Sequence, residues 1–282
     1  MEPVPDSRSD PRQRRSPRRR SSAARPERLS GVHCVREALR ARRRELYRLW
    51  VERGARRGEL GRLCDEAELQ GVPVAELSAD ELSQRLEPAS RRSNPQGLLL
   101  EAGSLPVLTL EELIATLPAG GGCLVALDGV EDPQNVGALM RVAEASGAHG
   151  MILSARRAPP LGAAVARASS GALEWLPVAR VANLGRALDD CRAAGAWVVG
   201  AEQRAERSLY ELPDRLLSGR LVVLLGSEGH GLREGIRKRV DHALSIPMEG
   251  RVDSLNVSAA GAVILYELLR RRGADTSPPP RG

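Results

Sequence analysis

The side chains best suited to do chemistry in this chain are small and polar, and they cluster. Ser254, Asn256 and Ser258 fall within five positions of Ser254-Leu-Asn-Val-Ser-Ala-Ala-Gly-Ala-Val-Ile-Leu-Tyr-Glu-Leu-Leu-Arg270, which otherwise reads as an amphipathic helix stopping at Gly273. Ser and Asn are favoured at helix N-caps because they accept hydrogen bonds from unpaired backbone N–H groups. One such residue makes a cap. Three suggest that some of them serve a site assembled with residues elsewhere in the chain.

Three other short stretches qualify as partners. In Leu221-Val-Val-Leu-Leu-Gly-Ser-Glu-Gly-His-Gly231, five aliphatic residues run straight into Gly226, Gly229 and Gly231. Glycines there permit unusual backbone angles and close approach of a ligand. The phosphate-loop Lys and Ser/Thr are missing. Ser227 directly follows Gly226, so this is not a nucleophile elbow either. With Glu228 beside the glycines, the stretch reads as a ligand loop. The second stretch, Leu127 to Arg141, turns at Asp132-Pro133, with Asn135 placed to start a helix. Val136, Leu139, Met140 and Ala143 make its apolar stripe, and Arg141 leaves that stripe. In the third, Leu244-Ser-Ile-Pro-Met-Glu-Gly250, Pro247 forbids continuation as a central strand. Backbone groups around Ile246 and Met248 are then free to bind something else.

The elements that must position these residues alternate. Strand-like runs at 123–128, 150–154, 175–181, 197–201, 221–226 and 242–247 are separated by helical patterns. Such alternation implies a mostly parallel, buried sheet with helices on both faces. Ligands of these sheets bind at the carboxyl ends of the strands, where the three stretches lie. Residues 29–102 read as a smaller α/β unit, with helices at 30–43, 60–69 and 79–86 and strands at 46–51, 72–77 and 97–100. Residues 103–122 connect the two units and carry a capping box, Thr109-Leu-Glu-Glu112.

Composition narrows the class. The chain has 282 residues, 42% of them hydrophobic but only 2% aromatic and none Phe, so its core must be aliphatic. No apolar run is long enough to span a bilayer. Cys34, Cys64, Cys123 and Cys191 are scattered, which suits reduced cytosolic thiols better than disulfides or zinc. His33, His149, His230 and His242 show no metal-ligand spacing and read as structural. Residues 1–28 hold nine Arg against four acids (Glu2, Asp6, Asp10, Glu27), so nearly all of the net +6 sits there. That tail and residues 274–282 cannot bury apolar surface and are expected to be disordered. A basic arm attracts nucleic acid non-specifically or simply solubilises.

Taken in order, Asn135-Val-Gly-Ala-Leu-Met-Arg141, Gly226-Ser-Glu-Gly-His-Gly231, and Ser245-Ile-Pro-Met248 with Ser254-Leu-Asn-Val-Ser258 resemble the SpoU (TrmH) class of SPOUT RNA 2′-O-methyltransferases. Residues 29–102 resemble the L30e-like substrate-binding domain of some members, through Ser30-Gly-Val-His-Cys-Val-Arg-Glu-Ala-Leu39 and Asn94-Pro-Gln-Gly-Leu-Leu-Leu100. The resemblance implies a homodimer and a deep trefoil knot, an exception to the usual absence of knots. It also implies S-adenosylmethionine as methyl donor, no metal, and a guanosine ribose of large-subunit ribosomal RNA as acceptor. By position the donor would be held at Leu224, Gly226, Ile246, Met248 and Leu255. Arg141 would activate the ribose hydroxyl, with Asn135, Glu228, Ser254 and Asn256 positioning it. Arg141 could act as a base or, since guanidinium stays protonated, as a stabiliser of developing charge. His230, where small or acidic residues are common, and Ala259-Ala260 depart from the pattern without removing an assigned residue. Leu255, Ala259, Ala262, Val263, Tyr266 and Leu269 supply a candidate dimer face. Rival readings are a transfer-RNA ribose methyltransferase, a ribosome-protecting resistance methyltransferase, and a non-catalytic RNA-binding assembly factor. The small first domain weighs against the transfer-RNA reading. Arg141, Asn135 and Asn256 weigh against the non-catalytic one.

Overall fold

Aliphatic side chains alternate between two faces of each long strand, and that alternation accounts for the layered architecture. The computed structural model describes residues 26–86, 95–217 and 219–273. The expected tail up to residue 25, residues 274–282 and Asn94 lie outside the described residues.

The first unit runs β1 (Glu27–Ser30), α1 (Val32–Ala41), β2 (Leu46–Glu52), α2 (Gly58–Leu69), β3 (Val74–Leu77), α3 (Ala79–Arg85) and β4 (Leu98–Ala102). Its four-stranded sheet has the order β1-β4-β2-β3. β4 pairs antiparallel with both β1 and β2, while β3 joins β2 in parallel. Ser78 caps α3 through a reciprocal box with Glu81, which satisfies two otherwise orphaned N–H groups. β1 begins inside the stretch expected to be tail. Glu27 and Arg28 pair with Ala102 and Glu101, and that long-range pairing outweighs the polar local composition.

A short helix, α4 (Leu110–Ala115), follows, with the expected box between Thr109 and Glu112. The second unit is β5 (Gly122–Asp128), α5 (Pro133–Ala145), β6 (Gly150–Ser154), α6 (Ala163–Ala168), β7 (Val178–Val181), α7 (Leu184–Ala193), β8 (Ala196–Ala201), α8 (Asp214–Leu217), β9 (Arg220–Gly226), α9 (Glu234–Arg237), β10 (His242–Leu244) and α10 (Val257–Arg271). Its six strands are all parallel, in the order β10-β8-β9-β5-β6-β7. Cys123, Val125 and Leu127 of β5 and Leu221, Val223 and Leu225 of β9 face one core layer with α5 and α10. Leu124, Ala126, Val222 and Leu224 face the other, with α7 and α9. Both faces are buried, as a parallel sheet requires. No described helix is long and apolar enough to cross a membrane.

In the second unit, two strands are shorter than the sequence pattern implies. β7 starts at Val178 because Ala172–Glu174 forms a 3-10 turn and Pro177 has no N–H to give a ladder. β10 ends at Leu244, ahead of Pro247. The helix after β5 also starts earlier than expected. Asp132, not Asn135, is its N-cap, accepting from the backbone N–H groups of Gln134 and Asn135, with Pro133 in the first turn. That leaves the Asn135 side chain free for other work.

The two units share a packed interface. The Arg44 guanidinium, fully buried, donates from Nε and Nη2 to both oxygens of Glu174, at 3.0 and 2.9 Å, and from Nη1 to Glu27 at 2.7 Å. Burial pushes the Glu174 carboxyl above the usual carboxylate range, and Arg44 beside it only partly offsets this.

Candidate functional site

The carboxyl ends of β9 and β10 open into a cleft of about 400 Å³. Gly226 is where β9 turns out of the sheet. A Cβ there would sit 2.3 Å from the Gly231 carbonyl carbon and 2.6 Å from the Leu232 nitrogen, so only glycine lets the loop fold back on the strand. Gly231 N–H closes the loop on the Ser227 carbonyl at 2.9 Å. Asp128, at the end of neighbouring β5 and 1% exposed, holds the loop's far end. It accepts from the Arg233 backbone N–H at 2.9 Å and from its Nε at 2.7 Å.

The opposite wall is the segment between β10 and α10. Ser245 Oγ donates to the Ala205 carbonyl at 3.1 Å, and Gln203 Nε2 donates to the Asp253 carbonyl. The segment is thus tied to the chain leaving β8. Among the described residues, no backbone–backbone bond engages Ile246 or Met248, which agrees with the reading of Pro247 as a ladder breaker. The lining combines apolar Leu225, Ile246, Met248, Leu255 and Val257 with Glu202, Glu228 and Asp253 and with Arg204 and Arg237, the last paired with Glu202 at 2.7 Å. Its size and mixed character are those of a small-molecule site.

Asn256 answers for the crowded polar turn. Its Oδ1 accepts from the Ser258 backbone N–H at 2.9 Å and from Ser258 Oγ at 2.6 Å, which caps α10. That fixes which way the amide faces. Its Nδ2 therefore points away from the cap and donates to Asn135 Oδ1 at 2.9 Å and Glu228 Oε2 at 3.2 Å. One side chain starts a helix and joins its own polar turn to two of the stretches singled out in the sequence, those of Asn135 and Glu228. Ser254 lines the cleft without capping.

Most of the expected site residues converge here. Gly226, Glu228, Ile246, Met248, Ser254 and Leu255 line the cleft, and Asn135 and Asn256 meet beside it. Leu224 does not line it: its side chain packs in the layer with α7 and α9, and Leu225 faces the cleft. Strand alternation puts neighbours on opposite faces, so Leu224 could contribute only backbone. Arg141 is exposed on α5 and outside the lining; its Nη1 donates to Ser170 Oγ at 3.1 Å. His230, read as structural, lies in the lining. Ser170 carried no sequence signal, because it follows a short helix in a stretch of small residues.

Residues 122–266 match the SpoU rRNA Methylase family, and residues 28–107 match the RNA 2'-O ribose methyltransferase substrate binding family. The chain belongs to the SpoU methylase family. It is 37% identical over 245 residues to the Ralstonia nicotianae protein named 23S rRNA (guanosine-2'-O-)-methyltransferase RlmB, covering 86% of this chain and 95% of that one. It is 33% identical to the Bacillus subtilis protein named Putative TrmH family tRNA/rRNA methyltransferase YacO, covering 86% and 94%. Among solved structures, an AdoMet-bound rRNA methyltransferase from Sinorhizobium meliloti aligns with a TM-score of 0.71 at 27% identity, over 87% of each chain. The SpoU methyltransferase AviRb from Streptomyces viridochromogenes, in complex with AdoMet, aligns with a TM-score of 0.70 at 26% identity, over 88% and 90%. This SpoU methylase is an RNA 2′-O-methyltransferase by family, and the Asn135–Asn256–Glu228 junction is where its polar turn meets the stretches of Asn135 and Glu228.

Proposed function

We propose that this SpoU methylase transfers a methyl group from S-adenosylmethionine to the ribose 2′-hydroxyl of a guanosine in 23S ribosomal RNA. The observation that carries it is the donation from Asn256 to both Asn135 and Glu228 at the mouth of the cleft. The residues present fit the donor. Gly226 lets the loop fold back on β9 to form one wall of the cleft, the Ile246 and Met248 backbones have no backbone partner among the described residues, and Glu228 and Asp253 bring carboxylates that suit a cationic sulfonium, while Glu202 is paired with Arg237. When bound, S-adenosylmethionine supplies an electrophilic methyl group to the attacking oxygen.

In this reading Gly226, Ile246, Met248 and Leu255 hold the donor, with Leu224 contributing only through its backbone. Asn135, Glu228, Ser254 and Asn256 set the geometry around the acceptor ribose. Arg141 meets the hydroxyl as its proton passes to solvent water, and its planar fork steadies the alkoxide charge or the adjacent phosphate. Holding acceptor and donor in line can remove about 7–11 kcal/mol of the barrier.

We assign residues 27–102 to an L30e-like RNA-binding domain, 103–122 to a linker and 123–273 to a SPOUT domain with a deep trefoil knot. Residues 1–26 and 274–282 would be tails, since β1 takes Glu27 and Arg28 out of the expected one. A homodimer fits α10. Val257, Ile264, Leu265 and Leu268 pack inward, while Ala259 and Tyr266, the latter 50% exposed, stay open with half-buried Leu255, Ala262, Val263 and Leu269 beside them. A ribosomal RNA substrate places the enzyme in the cytoplasm, in keeping with four free buried thiols.

The test uses purified full-length protein, labelled S-adenosylmethionine and separate pools of unmodified ribosomal and transfer RNA. Label in large-subunit RNA, at one guanosine made resistant to alkaline cleavage, is the expected result. Label confined to transfer RNA overturns the substrate, and donor binding without label in either pool overturns catalysis.

A further inference from the structure

The helix α6 ends in a way that ordinary helix physics does not require. Ser169 is its C-cap, and the next residue, Ser170, takes a left-handed conformation with φ of 51°. Glycine is the usual occupant of that position because a Cβ is strained there. Here a serine bears the strain, and its Oγ accepts the 3.1 Å hydrogen bond from Arg141 Nη1. A glycine would make the same turn and lose that bond.

The surroundings fix the turn from both sides. On α5, Gly137 precedes Arg141 by one helical turn. A Cβ on Gly137 would lie 2.4 Å from the Ala168 Cβ and 2.8 Å from the Ser169 nitrogen, so α5 and the end of α6 touch backbone to backbone. Ser169 is completely buried; its Oγ donates to the Ala166 carbonyl at 3.0 Å and accepts from the Leu173 N–H at 3.2 Å. From the first unit, α1 presses on the next residue: a Cβ on Gly171 would meet Glu37 Cβ and Cγ at 2.7 Å. Glu37 also accepts from Trp175 Nε1 at 3.0 Å. Arg43 Nη1 donates to the Glu174 and Leu176 carbonyls at 3.3 and 3.1 Å. The backbone that carries Ser170 is thus held from both sides, with its Oγ within reach of Arg141.

We propose that Ser170 is a positioning residue: it holds the Arg141 guanidinium, on a turn clamped by the substrate-binding unit, in the orientation that methyl transfer uses. This rests on the assignment of Arg141 under Proposed function. A guanidinium on a long exposed side chain otherwise samples many rotamers, and the bond to Ser170 narrows them before RNA arrives.

The test compares full-length Ser170→Gly and Ser170→Asn with wild type and with Arg141→Ala. It measures kcat, KM for RNA, donor affinity by calorimetry, and Tm. Gly keeps the left-handed turn and loses the acceptor; Asn tolerates the turn and restores an acceptor oxygen. The expected result for Ser170→Gly is a kcat lower by about tenfold to a hundredfold. Its KM and donor affinity should stay near wild type and its Tm should not fall. Ser170→Asn should recover most of the loss. Wild-type kcat in Ser170→Gly, with Arg141→Ala inactive, overturns the positioning role and leaves the Arg141 assignment intact. A Ser170→Asn variant as slow as Ser170→Gly overturns it as well. Full activity in Arg141→Ala overturns both, since Ser170 would then have nothing to position.

Discussion

Asn256 donates its side-chain amide to Asn135 at 2.9 Å across 121 positions of sequence, while its carbonyl oxygen caps α10. The two ends of one amide therefore carry two functions, and substitution can separate them. Asp keeps the capping oxygen but has no donor for Asn135, and it sets a second carboxylate near Glu228. Asn256→Asp should hold Tm close to wild type, since Asp caps as well as Asn. Loss of one preorganised donor should lower kcat by about 10²-fold or more. Asn256→Ala should lose the cap too, costing about 1 kcal/mol. An Asp variant that turns over normally would show that the polar turn is capping and nothing else.

Arg141 offers a different separation, because it lies outside the cleft lining that Gly226 and Leu255 share. Arg141→Ala should abolish methyl transfer while donor affinity, read by calorimetry, stays within about twofold, as for a residue whose interaction counts only at the reacting centre. A parallel fall in donor affinity would reassign Arg141 to donor binding.

How much of this was legible beforehand follows from the length scale of each signal. The parallel sheet was visible because both faces of β5 and β9 are aliphatic, and the α4 cap because a capping box is local. β1 was hidden, since Glu27 and Arg28 owe their strand to Ala102 and Glu101, some 75 residues away. The start of α5 was misplaced because Asn135 and Asp132 are both good caps, and Pro133 decides for Asp132. The polar members of the site were named by motif, but which of them touch was not. Leu224 and Leu225 differ only in which face of β9 they occupy. Ser170 reaches Arg141 only once α5 and α6 have packed, and no spacing along the chain encodes that.

Gly226 makes a steric prediction that does not depend on the acceptor. Its missing Cβ is enclosed by backbone atoms of Gly231 and Leu232 at 2.3–2.6 Å, and backbone cannot move aside as a flexible side chain can. Gly226→Ala should force the loop off β9 and reshape the cleft. The expected outcome is loss of measurable S-adenosylmethionine binding in titration calorimetry, with a Tm lower by several degrees as overpacking costs about 1–3 kcal/mol. Gly229→Ala makes a fitting contrast, since nothing lies within 4 Å of its Cβ. The strain there comes only from its φ of 85°, so donor binding should weaken less.

The buried pair between the units makes a prediction whose sign depends on pH. Arg44 places both arms of its fork on Glu174, and both side chains are fully buried. Arg44→Met strands the carboxylate in an apolar interface, and removing one partner of such a pair costs about 3–5 kcal/mol. Burial already holds the Glu174 carboxyl above the ordinary range, with Arg44 as the main opposing influence. Without Arg44 it should rise further. A raised folded-state value means the native state binds the proton more tightly than the unfolded chain. Acidification through that value therefore favours the native state of the variant, and the penalty is largest where the carboxyl is ionised. Urea denaturation of wild type and Arg44→Met at pH 8 and pH 5 should show a stability gap that narrows as the pH falls. A gap that widens on acidification would mean that Glu174 is not the group left stranded. The double variant Arg44→Met, Glu174→Met removes both charges and should recover much of the loss at pH 8, as apolar replacements of a buried pair do.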